Sequence, residues 1–323
     1  MRISVIIVTY NRKDDLRRTL RSVQRQMGVE FEVIVADNGS SDGTVEMIRS
    51  SYPRVRVIAM GANTGMRAHN QAVREAQADF VFILDNDMVL VEDYVLARAS
   101  AYLTSNPRLG AVACRVWDVD RTRGGAALRL SGNSPKHIDS GRADAGFDTS
   151  AFDGGAAAFR KSALLESGLF CEEFFLYHGE VDLSTRLLDR GWLVRYFPQI
   201  SVIHCRSAVQ RSSRLHSYLA TRNFFWYLYR NYPAVDLVPE AARFLVQSAR
   251  AVLTGQRRPI PWLEGVAAGL LSPWRARGRM PARRETIRRQ QEIRVADRVR
   301  KNLSGEMDSL RPLTTEEIQK FGL

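Results

Sequence analysis

The stretch FVFILDNDM, residues 80–88, places Asp85 and Asp87 directly after a run of five apolar residues. A short apolar run rich in β-formers is typical of a strand buried on both faces, as in a parallel sheet. Side chains at i and i+2 of an extended chain point the same way, so both carboxylates could face one cation. Asp and Asn also favour ordinary turns, because their side chains bond to nearby backbone. This stretch alone therefore leaves a metal site and a turn as equal alternatives.

Three more polar or glycine-rich segments follow apolar runs in the first hundred residues, and helical spacing appears between them, as in NRKDDLRRTLRSVQRQM. This alternation predicts an α/β fold with a doubly wound, mostly parallel, Rossmann-like sheet. Such sheets bind ligands outside the carboxyl ends of their strands. The first turn lacks GxGxxG and GxxxxGK[ST], which argues against a nicotinamide cofactor and a P-loop. The predicted strand ends are Thr9 to Asn11, Asp37 to Gly39, Gly61 to Gly65 and Asp85 to Asp87.

The net charge of +12 is unevenly distributed. Residues 1–200 contain 25 Lys+Arg and 25 Asp+Glu, whereas residues 201–323 contain 22 and 10, so the whole excess lies in the C-terminal part. A neutral body with a basic C-terminal part is not expected to enclose a nucleic-acid duplex in its main cleft. We therefore expect no nucleic-acid partner and keep a nucleic-acid-binding tail only as a remote alternative.

Cysteine content and hydropathy indicate a cytoplasmic protein. The three cysteines, Cys114, Cys171 and Cys205, form no CxxC pair, which predicts neither a disulfide framework nor a structural zinc site. The N-terminal MRISVIIVTYNRK lacks a signal-peptide cleavage site and is expected to form the first strand. No segment approaches the roughly 18 consecutive apolar residues of a membrane-spanning helix.

Six motifs in order resemble those of glycosyltransferase family 2, which has the GT-A fold, and in particular its bacterial rhamnosyl- and galactofuranosyltransferase-like members. The resemblance covers about residues 3 to 232 and implies that DND is a form of the DxD motif. The motifs are SVIIVTYNR, VIVADNGSSDGT, NTGMRAHNQAV, FILDNDM, FFLYHGEVDLSTRLLDRGW and VIHCRS.

The resemblance implies a pocket for a nucleotide-diphosphate sugar. Thr9 and Asn11 match positions that line the nucleotide, and Asp37 matches the acid that bonds the base. Asn63 and Gly65 match a loop beside the ribose and diphosphate, and Asp85 matches the first DxD acid, near ribose or metal. Gly154 and Gly155 match glycines whose backbone approaches donor and acceptor.

The resemblance also implies a divalent cation, Mg²⁺ or Mn²⁺. Asp87 matches the direct ligand, Asp85 lies near ribose or metal, and His204 matches a further ligand at the end of a later strand. Such a cation prefers oxygen ligands and would bridge the carboxylates to the donor diphosphate. A lone histidine is more often a structural residue. With the donor in view, we expect DND to bind the cation.

A second acidic cluster, HGEVDLSTR, supplies the candidate general base. Where the family commonly has a Glu-Asp pair, this chain has Gly179 and Glu180, so Glu180 stands at the catalytic position. A glutamate reaches further than an aspartate and can still accept a proton from an attacking hydroxyl. The alternative is that Glu180 and Asp182 are first-turn acids that favour the helix dipole. We expect Glu180 to be catalytic and Asp182 to be structural or acceptor-orienting.

The sequence divides into a catalytic domain at 1–210, a basic-aromatic helical extension at 211–300 and a polar tail at 301–323. The extension has two equal interpretations: peripheral contact with the inner face of the membrane, or packing on the core or on a second subunit of a homodimer. The segment RRETIRRQQEIRVADRVRKN is so charged that we expect an exposed helix.

The resulting hypothesis is an inverting, metal-dependent glycosyltransferase. It would move a sugar from a dTDP- or UDP-linked donor to a hydroxyl of a glycan, a lipid-linked saccharide or a secondary metabolite. A catalytically silent nucleotide-sugar-binding or assembly module is the alternative, because Gly179 departs from the family pattern. The residues that would select sugar and acceptor lie in the span from Gly124 to Ser150.

Overall fold

A computed structural model describes residues 2–120, 127–130, 146–205, 212–303 and 311–321. Most of the span from Gly124 to Ser150 lies outside these described residues.

The first ninety residues alternate strand and helix as the sequence predicts. The strand that carries DND has all five of its apolar residues, 80–84, buried. Those at 80, 82 and 84 face one hydrophobic core and those at 81 and 83 face another, as expected of a strand inside a sheet. The elements are β1 (Arg2–Thr9), α1 (Lys13–Gln24), β2 (Glu30–Asp37), α2 (Thr44–Ser51), β3 (Val55–Ala59), α3 (Met66–Glu75), β4 (Phe80–Asp85) and β5 (Met88–Leu90).

The remaining elements complete the sheet and add helices. They are α4 (Val95–Ser105), β6 (Leu109–Asp120), β7 (Ala127–Leu130), β8 (Phe147–Asp148), β9 (Ala156–Arg160), α5 (Lys161–Glu166), α6 (Gly179–Asp189) and β10 (Leu193–His204). The C-terminal part contains α7 (Ser213–Asn231), α8 (Ala234–Leu253), α9 (Pro259–Leu271), α10 (Arg284–Leu303), β11 (Arg311–Pro312) and α11 (Thr315–Phe321).

The sheet is mixed, and its parallel part holds the predicted strand ends. Its main order is β11-β7-β6-β9-β4-β1-β2-β3. Strands β3, β2, β1 and β4 run parallel, whereas β9 is antiparallel to both β4 and β6. Strand β10 pairs in parallel with β6 and antiparallel with β5, which brings the end of β10 beside the residues after DND. The predicted parallel arrangement therefore holds for β1 to β4, whereas the later strands pair in both directions.

Helices cover both faces of the sheet, as a doubly wound fold requires. Helices α1, α2 and α4 pack on the face that carries Val5 and Phe82, and α3, α5 and α6 pack on the face that carries Ile6 and Val81. The two cores fix the strands from both sides, so the loops at the carboxyl ends are placed by a rigid sheet.

The C-terminal helices are attached to the catalytic core to different extents. Helix α7 is largely buried, whereas Ser248 is the one buried residue of α8. Helix α10, expected to be exposed, buries Ile287 and Gln290 against α6 and α7. The highly charged sequence of α10 does not reveal its buried side, because one of the residues that face inward, Gln290, is polar. Gln290 is satisfied there by a hydrogen bond: its Nε2 donates to Thr185 Oγ1 over 2.9 Å.

The segment predicted as a polar tail, 301–323, also contacts the core where it is described. Strand β11 pairs with β7 at the edge of the sheet. Leu313 and Phe321 are buried in a cluster with Ile203 from β10. Among the described helices, none has the length and hydropathy required to cross a membrane.

Candidate active site

Three strand ends meet at one edge of the sheet. Register pairs Thr9 with Asp37 and Val8 with Asp85, so the ends of β1, β2 and β4 are neighbours. The side chain of Asn86, between the two aspartates of DND, donates from Nδ2 to Thr9 Oγ1 over 3.0 Å. The predicted convergence of Thr9, Asp37 and Asp85 is present in the fold.

The two carboxylate oxygens of Asp37 differ in their hydrogen bonding. Its Oδ2 accepts hydrogen bonds from the backbone N–H groups of Gly39 and Ser40, at 3.2 and 3.0 Å. Its Oδ1 is buried and has no hydrogen-bond partner among the described residues. A buried acceptor without a donor is costly unless a ligand or water supplies one. This oxygen is therefore suited to an N–H donor from a bound molecule.

Asn11 shapes the loop beside Asp37. Its backbone has φ of 50°, in the left-handed region that asparagine tolerates better than most residues. Its N–H donates to Ser40 Oγ over 2.9 Å, and its Oδ1 accepts from the N–H of Ser41 over 2.8 Å. Within the described structure, Asn11 thus ties the first strand-end loop to the second.

The loop that contains Asn63 and Gly65 lies next to the second strand end. Asn38 Oδ1 accepts from the N–H and the hydroxyl of Thr64, at 3.1 and 2.9 Å, and Asn63 Oδ1 accepts from the N–H of Gly65 over 3.2 Å. Gly65 has φ of 58°, and a Cβ at this position would clash with Phe175. Only glycine fits both the backbone and the close approach.

The DND turn is packed against the predicted glycine pair. The N–H of Asp85 donates to the carbonyl of Gly155 over 2.7 Å. A Cβ on Gly155 would meet Met88 and would lie 3.2 Å from Asp85 Oδ2 and 3.3 Å from Asp153 Oδ1. Gly155 thus allows two carboxylates to approach the same backbone.

Asp87 and His204 lie together. Asp87 is 8% exposed, and its Oδ2 lies 3.6 Å from His204 Nε2 and 3.9 Å from an Arg12 guanidinium nitrogen. The other ring nitrogen of His204, Nδ1, lies 2.9 Å from Asp118 Oδ1. Burial lowers the pKa of His204, but hydrogen bonds and charge from Asp118 and Asp87 outweigh it and raise that pKa to about 10.

Two acids at this edge, Asp118 and Asp153, are absent from the sequence prediction. Asp118 lies on β6, the strand next to β10, and it is paired in register with His204. Asp153 Oδ1 accepts from the N–H of Gly155 over 2.9 Å, and burial raises the pKa of Asp153, with the charges of Asp118 and Asp87 acting the same way. The alternation in VWDVD and the acid before Gly154 are the sequence signals of these positions.

The donor set suits a hard cation with few protein ligands. Within the described ranges, no group of three or more His, Cys, Asp or Glu side chains is arranged to hold a metal ion. Asp85, Asp87 and His204 therefore do not form a complete protein site by themselves. Mg²⁺ commonly binds through one or two carboxylates together with substrate phosphates, and the clustered acids at this edge fit that mode.

Glu180 lies on the other side of the glycine pair. It is the second residue of α6, and a Cβ on Gly154 would lie 2.8 Å from both Cδ and Cγ of Glu180. Gly154 precedes Gly155, which contacts Asp85. The fold thus brings the candidate base and the DND turn to one backbone segment.

Asp182 has a structural role instead. It is fully buried, and its two oxygens meet the guanidinium groups of Arg186 and Arg230 and the side-chain amide of Asn231. The network joins α6 to α7 below the site. The sequence left Asp182 as structural or acceptor-orienting, and these contacts decide for the former.

Comparison with known proteins gives the family. The family model described as "Glycosyl transferase family 2" matches residues 4–168. An N-acetylglucosaminyl-diphospho-decaprenol L-rhamnosyltransferase of Mycobacterium tuberculosis is 28% identical over 239 aligned residues, covering 62% of this chain and 75% of the relative. A validoxylamine A glucosyltransferase of Streptomyces hygroscopicus is 34% identical over 118 residues, covering 35% of this chain and 28% of that enzyme.

Solved structures share the fold. The mannosyltransferase PcManGT from Pyrobaculum calidifontis, in complex with GDP-Man and Mn²⁺, has a TM-score of 0.57 and 20% identity, covering 95% of this chain and 87% of that one. S. aureus TarS 1–349 in complex with UDP-GlcNAc has a TM-score of 0.54 and 18% identity, covering 76% and 72%. These neighbours confirm the predicted GT-A fold. The chain belongs to glycosyltransferase family 2, and it is a glycosyltransferase.

Proposed function

We propose that this glycosyltransferase moves a sugar, with inversion and with the help of a divalent cation, from a dTDP- or UDP-linked donor to a hydroxyl acceptor. The observation that carries the proposal is the placement of Glu180 against Gly154, on the backbone segment that also contacts Asp85. A base and the diphosphate-binding acids must flank the same sugar carbon, and this arrangement supports that requirement.

Donor binding is assigned to the strand-end residues. Asp37 would accept an N–H of the base at its unpartnered Oδ1. Thr9 and Asn11 would line the nucleotide, and Asn63 and Gly65 would border the ribose and diphosphate. Because backbone hydrogen bonds fix these loops, little ordering is required when the donor binds.

Asp87, Asp85 and His204 would hold the cation, Mg²⁺ or Mn²⁺. When bound, the cation neutralises the diphosphate and stabilises it as the leaving group. Asp87 is proposed for the direct contact, and its Oδ2 lies 3.6 Å from Nε2 of His204, so one cation could contact both side chains. His204 must lose the proton on Nε2 before this nitrogen can ligate a metal. Its Nδ1 would then donate to Asp118, and this contact would orient the ring.

Glu180 would act as the general base. Its carboxylate would accept the proton of the acceptor hydroxyl as the oxygen attacks the sugar carbon from the side opposite the diphosphate, and this single displacement inverts that carbon. Gly179, at the position commonly held by glutamate, removes one nearby negative charge. The change from the family's aspartate to Glu180 is accommodated by Gly154, whose missing side chain leaves room for the longer one.

The acceptor is proposed to be a lipid-linked saccharide. A transfer screen would distinguish it from the two alternative acceptors, a soluble glycan and a secondary metabolite. The name of the mycobacterial relative includes a diphospho-decaprenol compound, and the alignment covers most of that enzyme's length. The glucosyltransferase relative, which is named for validoxylamine A, aligns over a much shorter part.

Helix α9 supports contact with a membrane surface. Pro261, Gly265 and Gly269 are the buried residues of this helix, and the backbone at Gly265 and Gly269 approaches α7 closely. The opposite stripe exposes apolar side chains, including Ile260 at 67% and Leu271 at 72% exposure. Arginines precede and follow the helix, so the stripe would rest on acyl chains with positive charge at anionic headgroups. The exposed stripe consists of Ile260, Leu263, Leu270, Leu271 and Trp274.

The membrane proposal is tested by co-sedimentation with phosphatidylcholine vesicles with and without phosphatidylglycerol. The change of Leu263 and Leu270 to Glu should abolish binding to the anionic vesicles, and Val295→Glu, at an equally exposed valine of α10, should not. If the double variant instead converts a dimer to a monomer in light scattering, the stripe is a subunit interface.

The function is tested in two steps. A thermal-shift screen of dTDP- and UDP-sugars with and without Mn²⁺ should show a metal-dependent rise in the unfolding midpoint, lost in Asp87→Ala. Transfer should then fall by about 10²-fold or more in Glu180→Gln with donor binding retained. Donor binding without transfer to any acceptor of a wide panel would favour the silent module, and full turnover by Glu180→Gln would remove Glu180 from the mechanism.

A further inference from the structure

The backbone that leads into α6 is strained. We call residues 174–178 the α6 entry segment. Phe175, Tyr177 and His178 have φ of 66°, 65° and 65°, in the left-handed region that residues with a Cβ rarely adopt. Several such residues within five positions persist only where surrounding contacts determine the backbone.

The entry segment touches both halves of the site. Phe175 lies directly on Gly65, in the loop assigned to the donor diphosphate. After His178 the chain enters α6, which presents Glu180 to Gly154. Gly179 packs against Met66 at the start of α3. A change of backbone here would therefore move the base relative to the donor loop.

The side chain of Asn223, on α7, makes three contacts with this segment. Asn223 is fully buried, and its Nδ2 lies 3.0 Å from the carbonyl oxygen of Phe174, 2.6 Å from that of Leu176 and 3.1 Å from that of Tyr177. The amide NH₂ is the only donor of an asparagine side chain, and here it serves three backbone carbonyls, of which that of Phe174 also accepts from the N–H of Leu176.

The orientation of Asn223 is itself fixed. Its Oδ1 accepts from Nε and Nη2 of Arg222, at 2.9 and 2.8 Å. The guanidinium of Arg222 also donates to the carbonyls of Glu173 and Phe174 and lies over the ring of Trp226 at 4.1 Å. With Oδ1 satisfied in this way, Nδ2 can face only the carbonyls of the entry segment.

We propose that Asn223 is a positioning residue for the glycosyl transfer: it holds the strained entry segment so that Glu180 lies at the acceptor hydroxyl. The inference rests on the proposed function in so far as Glu180 is the base. It makes α7, in the helical extension, a necessary part of the catalytic centre. The network around Asp182 joins the first turn of α6 to α7, and Asn223 sets the conformation of the segment that precedes α6.

Hydrogen exchange tests the positioning without any substrate. In Asn223→Ala, amides of the segment 172–182 should exchange about tenfold faster, because the carbonyls of Leu176 and Tyr177 lose the Nδ2 donor and that of Phe174 loses one of its donors, while β1 to β4 keep their protection. Thr221→Val is the matched control: Thr221 is fully buried two residues earlier on α7, and its hydroxyl donates to the carbonyl of Ser217. Unchanged exchange in 172–182 of a folded Asn223→Ala would overturn the proposal.

A second variant covers the case in which Asn223→Ala does not fold. Arg222→Met removes the group that orients Asn223 and leaves the amide in place. It should raise exchange in the same segment, by less than the alanine variant does. Equal exchange in Arg222→Met and the wild type would contradict the proposed orientation of Asn223.

A double-mutant cycle separates this inference from the proposed function. Asn223→Ala should lower kcat with donor KM nearly unchanged, and the loss should disappear in the Glu180→Gln background, because the residue acts through Glu180. A loss of the same size in both backgrounds would show that Asn223 does not act through Glu180. If Glu180→Gln alone turns over normally, the proposed function fails, while the exchange result still reports on Asn223.

Discussion

Gly154→Ala gives a direct test of how closely Glu180 must be placed. An added Cβ would lie 2.8 Å from Cδ and Cγ of Glu180, and nearer still to Oε1, whereas ordinary contacts begin at 3.4 Å, so the side chain must withdraw by at least 0.6 Å. Gly154 does not have a left-handed φ, so alanine adds no backbone strain. The three heavy atoms nearest to the added Cβ all belong to Glu180.

The expected loss follows from the displacement. The carboxylate oxygen is nearest to the new methyl group and must move by about 1 Å, and a misplacement of that size costs about 10²-fold in rate. In the transfer assay we expect kcat to fall by about two orders of magnitude. The donor-induced thermal shift should be retained, because the donor contacts of Asp37 and Asn11 do not involve this methyl group.

Gly110→Ala is the control for steric strain alone. Its Cβ would lie 2.8 Å from Cβ of Trp192, and the clash does not involve Glu180. This variant should lower the unfolding midpoint and leave kcat per folded molecule unchanged. If Gly154→Ala keeps wild-type kcat, or if both variants lose kcat equally, the assignment of Glu180 as a closely positioned base is refuted.

Three further predictions concern stability and donor recognition. Asp182→Ala should lower the free energy of unfolding by about 3–5 kcal/mol in urea titrations, since it leaves the buried guanidinium of Arg186 without its carboxylate. Burial raises the pKa of Glu32, but hydrogen bonds from Ser4 and a backbone amide outweigh it and lower that pKa below 4.5. The Glu32 carboxylate therefore stabilises the folded protein above pH 4.5, and this stabilisation is lost as pH falls through the folded pKa. In Glu32→Gln, the free energy of unfolding should fall less steeply over this acidic range. Asp37→Asn should weaken donor binding by about tenfold in calorimetry, because Oδ1, which has no partner among the described residues, is the acceptor assigned to the base.

Each of these has a contrasting variant or result. Asp14→Ala, which breaks an ion pair at a carboxylate whose side chain is 79% exposed, should change the free energy of unfolding very little. An Asp182→Ala protein as stable as the wild type would show that the network is dispensable. If the free energy of unfolding falls equally steeply with acid pH in Glu32→Gln, other carboxylates cause the fall. Unchanged donor affinity in Asp37→Asn would remove the base contact from Asp37.

The sequence predicts the donor side of the site well because that side is local. Each polar strand end follows its own apolar run, and parallel register brings Thr9, Asp37 and Asp85 together without knowledge of the rest of the chain. Asp118 and Asp153 were missed because they reach the site only through strands that pair across long sequence distances.

The C-terminal part was predicted less completely for a related reason. Polar residues that face inward, such as Gln290 and Asn223, are satisfied by partners far away in sequence, and composition alone indicates a solvated surface for them. Leu313, Ile318 and Phe321 are scattered apolar residues in a charged segment, too few to give a clear periodic pattern. In each case a long-range contact decides the burial.

The position of Asn223 on α7 also has a consequence for the order in which activity arises during synthesis. All the proposed donor-binding side chains before Gly155 have been synthesised by residue 87, and Glu180 follows, but the amide that holds its segment lies later in the chain. The nascent chain would therefore acquire a nucleotide pocket before it acquires a positioned base. Transfer would begin only once α7 has packed onto the core, so an incomplete chain could bind a donor without using it.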